Sequence, residues 1–130
     1  MIFNCFYRCF NLLVVLLGMS LVAVGCFKND ESAEMKRIND EINLIIACTN
    51  GSLSEAELYS NRLGTVNFVS IKGDTPLNAA VANGNFEVVK FLIKQGAKPS
   101  LKDSYGLSAM ETARKYKQYD IEKYISNIKE

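Results

Sequence analysis

Residues 73–97 read GDTPLNAAVANGNFEVVKFLIKQGA, and this stretch decides the fold. Gly73-Asp74 is a turn pair. Thr75 follows as a helix cap and Pro76 suits the first helical position, where its missing N–H costs nothing. Leu77, Ala80 and Val81 then fall on one apolar helix face. Asn83-Gly84-Asn85 interrupts that helix. Phe86, Val88, Val89, Phe91, Leu92 and Ile93 recur at helical spacing and predict a second helix, which Gln95-Gly96 ends. The local pattern is therefore turn, short helix, break and short helix, with no run that alternates as a strand does.

The unit recurs. Gly73 and Gly106 are 33 residues apart, and the same offset pairs Thr75 with Ser108, Leu77 with Met110 and Ala80 with Ala113. It also pairs Phe86 with Tyr119, Val88 with Ile121, Phe91 with Tyr124 and Leu92 with Ile125. Phe86, Phe91, Tyr119 and Tyr124 thus read as core. Upstream, Leu44 aligns with Leu77, Ala47 with Ala80, Gly51 with Gly84, Leu53 with Phe86 and Leu58 with Phe91. A two-helix unit of this size cannot bury its own apolar face, and about three stacked units are the minimum for stability.

The stretch Thr75-Pro76-Leu77-Asn78-Ala79-Ala80, with Asn83-Gly84-Asn85 and the closing Gly96-Ala97, resembles an ankyrin repeat, the T-P-L-H-x-A signature being met except that Asn78 replaces His. Lys98-Pro99-Ser100 stands where the family carries an acidic residue, Val and Asn, whereas Val66-Asn67 matches that pattern one unit earlier. The resemblance covers roughly residues 37–128. It implies an all-α solenoid of about three helix-turn-helix units, at 37–69, 70–102 and 103–128, within a domain spanning 37–130. Its end units are degenerate. The last helix, from Tyr119 to Ile128, is charged and reads as a cap.

The N-terminal part has a different texture. Between Arg8 and Lys28 no residue is charged, and LLVVLLGMSLVAVGCF at 12–27 is almost wholly apolar. A run of this kind behind a basic residue is the layout of a secretory signal. A spanning helix needs about 20 apolar residues, and this run is shorter and interrupted by Gly18 and Ser20, which favours a cleaved signal over a permanent membrane helix. Leu21-Val22-Ala23-Val24-Gly25-Cys26 resembles the lipobox of bacterial lipoproteins. That resemblance implies a signal peptide at 1–25, cleavage before Cys26, a diacylglycerol thioether on its sulfur and N-acylation. It further implies a bacterial envelope location facing the periplasm. Phe27, rather than Asp, after the Cys points to the outer membrane. Residues 27–36 then read as a short flexible tether.

Composition narrows the chemistry. The 130 residues hold 15 Lys+Arg and 14 Asp+Glu, for a net charge of +1, with no His and no Trp. Removing 1–25 takes only Arg8, so fourteen bases then balance fourteen acids. This balance does not fit a nucleic-acid binder driven by phosphate contacts. Without His there is no Ser-His-Asp relay and no histidine metal site. No phosphate loop, C-x-x-C pair or H-E-x-x-H motif occurs. Glu55/Glu57 and Asp120/Glu122 sit two apart on predicted helices and do not face each other, so they read as solvated. Of the four Cys, Cys5 and Cys9 would leave with the signal and Cys26 would carry lipid, leaving Cys48 unpaired. Cys48 shares a helix face with Leu44 and reads as a small buried apolar residue.

The expected function is accordingly non-enzymatic, with no cofactor, no metal and no small-molecule substrate. The ankyrin resemblance implies that a partner protein meets the hairpin tips and the exposed side of each first helix. On this sequence those positions are Ile71, Lys72, Asp74, Ala82 and Asn83 in the middle unit. In the last unit they are Ser104, Tyr105, Leu107, Lys115 and Tyr116. Tyr105 and Tyr116 stand out because Tyr is enriched among interface hot spots. The basic run Arg114, Lys115 and Lys117 reads as a solvated helix face. Two roles fit: an envelope docking module tethered to the membrane through Cys26, and an immunity or inhibitor lipoprotein that neutralises a toxin or lytic enzyme.

Overall fold

The computed structural model describes the backbone of residues 22–128 and the side chains of residues 32–128. The reading of 1–21 as part of a signal peptide, and the lipid assigned to the side chain of Cys26, lie outside the described residues. The chain divides into two units, residues 1–34 and 35–130. Within the first, residues 22–34 are the start of a helix. The second contains paired helices.

Six helices and no strand occur among the described residues. They are α1 (Val22–Asn50), α2 (Leu53–Leu63), α3 (Pro76–Ala82), α4 (Phe86–Lys94), α5 (Ala109–Lys115) and α6 (Tyr119–Ser126). Residues 27–36, expected as a flexible tether, are helical instead. The segment Glu31-Ser32-Ala33-Glu34-Met35-Lys36-Arg37 is rich in helix formers, and Arg37 pairs with Glu41 one turn on at 3.2 Å. No described helix is long and apolar enough to cross a membrane.

Local chemistry sets the helix ends. The Thr75 hydroxyl accepts the Asn78 N–H at 3.1 Å, with Pro76 at the start of α3. Ser108 and Glu111 form a reciprocal capping box on α5, the serine N–H and hydroxyl both donating to Glu111 Oε2 at 2.7 Å. Those two donors, and more weakly Lys102 and Arg114, hold the Glu111 carboxyl below its usual range. The break between α3 and α4 turns on Gly84, at φ +70°, and the Gln118 side chain lies where a Cβ would project. One period later Lys117 takes the same left-handed conformation, at φ 58°.

Packing follows the repeat. Helix α3 packs on α4 and α5 on α6, while α3 also meets α5 and α2 meets α4. Ala47, Ala80 and Ala113 recur at the 33-residue period and are fully buried, as are Leu44, Val81, Val89 and Leu92. A methyl at each recurring position lets neighbouring helices approach closely. Cys48 is buried in the same core, and desolvation pushes its thiol up to about 12. It therefore stays protonated and inert. Asp40 of α1 is buried against Arg62 of α2, with Oδ1 and Nη2 3.1 Å apart. Phe86 and Phe91 are half-buried against the core, and Phe86 meets Tyr124 edge-on at 5.4 Å. Tyr119 departs from the sequence reading. It is 70 % exposed rather than core. Phe86 owes its cover to Tyr124 of the following unit, and among the described residues no unit follows Tyr119.

Two substitutions test this packing in opposite directions. Leu92→Ala should lower unfolding stability by about 2–5 kcal/mol, the range for a fully buried leucine that leaves a cavity. Lys117→Gly should raise it by roughly 0.5–1 kcal/mol, as relief of left-handed strain exceeds the entropy glycine adds to the unfolded chain. Urea unfolding of the full-length chain, followed by circular dichroism, measures both.

Candidate docking face

The hairpin tips are built by hydrogen bonds rather than by apolar burial. In the middle unit the Ser70 N–H donates to the Asp74 carbonyl and the Gly73 N–H to the Ser70 carbonyl, both at 2.8 Å. In the last unit the Asp103 N–H donates to the Leu107 carbonyl and the Gly106 N–H to the Asp103 carbonyl, both at 3.0 Å. The Asp103 carboxylate tightens this second tip by accepting the Tyr105 and Leu107 N–H groups, each at 2.9 Å. An Asx turn of this kind fixes the backbone with a side chain.

The units are then fastened to each other at three levels. Between the tips, the Ser104 N–H donates to the Gly73 carbonyl at 2.8 Å. At the start of α3, Asn78 Nδ2 donates to the Leu107 carbonyl at 2.8 Å and to Asp103 Oδ2 at 3.3 Å. Asn78 stands where the family carries His, and it performs this bridging with an amide. Behind the tips, Asn67 Nδ2 donates to the Gly96 carbonyl at 2.8 Å and its Oδ1 accepts the Lys98 N–H at 2.9 Å. Asn85 Nδ2 reaches back to the Cys48 and Thr49 carbonyls at 2.7 and 2.8 Å, in the last turn of α1, where helix carbonyls lack intrahelical donors.

This scaffold brings part of the expected site together. Ile71 is 72 % exposed and Tyr105 77 %, so both tips project apolar surface into solvent. Tyr116 caps the end of α5 and is 49 % exposed. Lys115 Nζ lies 5.9 Å from the Tyr105 ring centroid and 5.5 Å from that of Tyr116. One ammonium is thereby shared by two aromatic faces, within the distance at which ring quadrupoles attract a cation. Lys72 and Ser104 are exposed on the tips. Other candidates serve structure. Leu107 is half-buried and its carbonyl is taken by Asn78. Asn83 spends its amide on the Ala79 carbonyl of its own helix, at 2.9 Å. Asp74 and Ala82 are half-buried. In the basic run read as a solvated face, Arg114 pairs with Glu122 at 2.8 Å and Lys115 sits on the two rings.

The face is open. A dent of ≈ 140 Å³ beside Ser60, Gly64, Val66 and Gln95 holds less than half the volume of the smallest common ligand pockets, about 300 Å³. Among the described residues no three of His, Cys, Asp or Glu gather as metal ligands do.

A family model for ankyrin repeats in three copies matches residues 10–103 and 44–129. The chain belongs to the ankyrin repeat family. Ankyrin repeat domains are generally non-catalytic interaction modules. The chain is 37 % identical over 90 residues to the ADP-ribosylation factor GTPase-activating protein AGD2 of Arabidopsis thaliana, a match covering 68 % of this chain and 12 % of the relative. It is 36 % identical over 85 residues to the ankyrin repeat and KH domain-containing protein mask-1 of Caenorhabditis elegans, covering 63 % of this chain and 3 % of that protein. The chain therefore spans a small part of these relatives. Among solved structures, it is similar to a chain of the Bdellovibrio bacteriovorus complex between predatory endopeptidase Bd0816 and immunity protein Bd3460. That match has a TM-score of 0.60 and 27 % identity, over 65 % of this chain and 44 % of the other.

The tip-to-tip contact gives a sharp structural test. A Cβ on Gly73, at φ +89°, would fall within 2.4 Å of Ser104 Cβ. Gly73→Ala should therefore cost about 1–3 kcal/mol from backbone strain alone, with the steric clash added. Pairing it with Ser104→Gly should restore part of the loss. Thermal unfolding of the single and double variants reads both.

Proposed function

We propose that this chain is a non-catalytic docking module which binds a partner protein through the hairpin tips and first-helix side of its ankyrin repeats. The observation that carries the reading is the exposed trio of Tyr105, Lys115 and Tyr116, with exposed Ile71 on the neighbouring tip. Rigid tips cross-fastened by backbone hydrogen bonds lose little entropy on binding, and aromatic side chains supply contact area with few rotors. The open face and the family's usual role support a binding surface over a reaction chamber.

The module is held at the bacterial envelope by lipid on Cys26. The apolar run ending in Val24-Gly25-Cys26 supports this part of the reading. Two or more acyl chains anchor stably where one holds only marginally. Mass spectrometry of the membrane fraction should find an acylated Cys26 at the mature N-terminus, whereas a chain still beginning at Met1 contradicts the anchor.

A second role is favoured by one specific observation. The likeness to a chain of an endopeptidase–immunity protein complex supports an immunity or inhibitor function against a lytic enzyme in the envelope. If the gene beside this one encodes a lytic enzyme, co-expression should protect cells from it. Unprotected lysis argues against the role.

The docking surface itself is tested by capture of envelope proteins on the full-length chain in mild detergent. Tyr105→Ala and Tyr116→Ala should each weaken retention of the captured partner at least about fivefold, a loss of about 1 kcal/mol that only a minority of interface residues reach, with the helical circular dichroism unchanged. Equal retention by wild type and both variants rules this surface out.

A further inference from the structure

We propose that the docking face selects an acidic protein segment, with a partner carboxylate seated on Lys115 between the rings of Tyr105 and Tyr116. The inference rests on the docking reading above and deepens it by naming the partner's chemistry.

The charge distribution carries the argument. The segment 98–117, which forms the last tip and first helix, holds Lys98, Lys102, Arg114, Lys115 and Lys117 against only Asp103 and Glu111. Both acids are occupied. Asp103 accepts two backbone N–H groups of its own tip and lies 3.3 Å from Asn78 Nδ2. Glu111 is held in the capping box by Ser108. Arg114 is spent on Glu122. Lys102, Lys115 and Lys117, together with Lys72 on the neighbouring tip, have no ion pair among the described residues. Cations thus outnumber acids five to two in this segment, with both acids fixed in a turn and a cap, while on the neighbouring tip Lys72 is accompanied by the half-buried Asp74.

Lys115 is more than a solvated charge. Two rings, at 5.9 and 5.5 Å, hold its ammonium in place before a partner arrives. A carboxylate approaching it also meets the two apolar rings, and Ile71 exposes further apolar surface on the neighbouring tip. The complementary surface is therefore Asp or Glu next to an aliphatic or aromatic side chain. Nucleic acid fits less well, because a phosphate backbone is recognised by many cations in register, and the chain as a whole is close to neutral.

Selection of displayed random peptides on the full-length chain in mild detergent tests this. Peptides eluted by wild type should be enriched in Asp and Glu beside apolar residues. Their binding should weaken about three- to tenfold in Lys115→Gln and further in Lys115→Glu. It should also fall as NaCl rises from about 0.1 M to about 1 M, where screening shortens from about 10 to 3 Å. Circular dichroism of both variants checks that the fold is intact. Selected peptides that are neutral or basic, yet depend on Tyr105 and Tyr116, overturn the acidic-partner inference and leave the docking reading standing. Absence of any peptide that depends on those tyrosines overturns both. Poly(U) RNA or phosphatidylglycerol vesicles binding through Lys115 as tightly as the peptides also overturn it.

Discussion

The structure depends on one constraint: a pair of seven- to nine-residue helices buries its apolar stripe only against another pair. Helix α3 spans seven residues and α4 nine, short of the roughly 12–15 at which an isolated helix is even marginal in water. Stability must come from contact between units. Ala47, Ala80 and Ala113 keep the first helices close, and Val88, Val89 and Leu92 fill the space behind them. The asparagines finish the joint. Asn67, Asn78 and Asn85 each bond backbone groups of an adjacent unit, Asn85 doing so at the C-terminal end of α1.

This constraint explains why the ends differ from the middle. Phe86 has Tyr124 edge-on and the ammonium of Lys90 at 5.0 Å over its face, whereas its counterpart Tyr119 faces solvent. Gly84 lies under Gln118 of the next unit, whereas its counterpart Lys117 keeps a side chain in a backbone conformation that disfavours one. In both cases the residue type relaxes where, among the described residues, no following unit makes the contact. Position 78 makes the complementary point: a residue with a following unit to grip retains a buried amide for that purpose.

The same logic shows what the sequence could reveal. Caps, turns and period are local chemistry, so Thr75, Pro76 and the 33-residue offset made the helix pairs and their stacking legible. The tips were legible as positions, and Ile71 and Tyr105 do project into solvent. The sharing of Lys115 by Tyr105 and Tyr116 was not legible, because Lys115 and Tyr116 lie ten and eleven positions from Tyr105 across a tip and a helix, and no periodicity links them. The offset misplaced Tyr119, since a repeat alignment reports equivalence within units and says nothing of which neighbour provides the cover. Helix through 27–36 was missed because polarity was read as flexibility, although Glu, Ala, Met, Lys and Arg favour helix strongly.

A stack of this kind presents a rigid, open surface whose shape comes from the joints and whose chemistry comes from the tips. The side chains that fasten the joints are therefore distinct from those the tips expose to solvent. Coupling between neighbouring units is the central physical claim, and native-state hydrogen exchange of the full-length Ile121→Ala variant tests it most directly. Ile121 is buried in α6, and its truncation weakens the last unit. Amides of α3 and α4, which the substitution does not touch in sequence, should lose protection together with those of α5 and α6. Unchanged protection in α3 and α4 beside a loosened α6 would contradict the account.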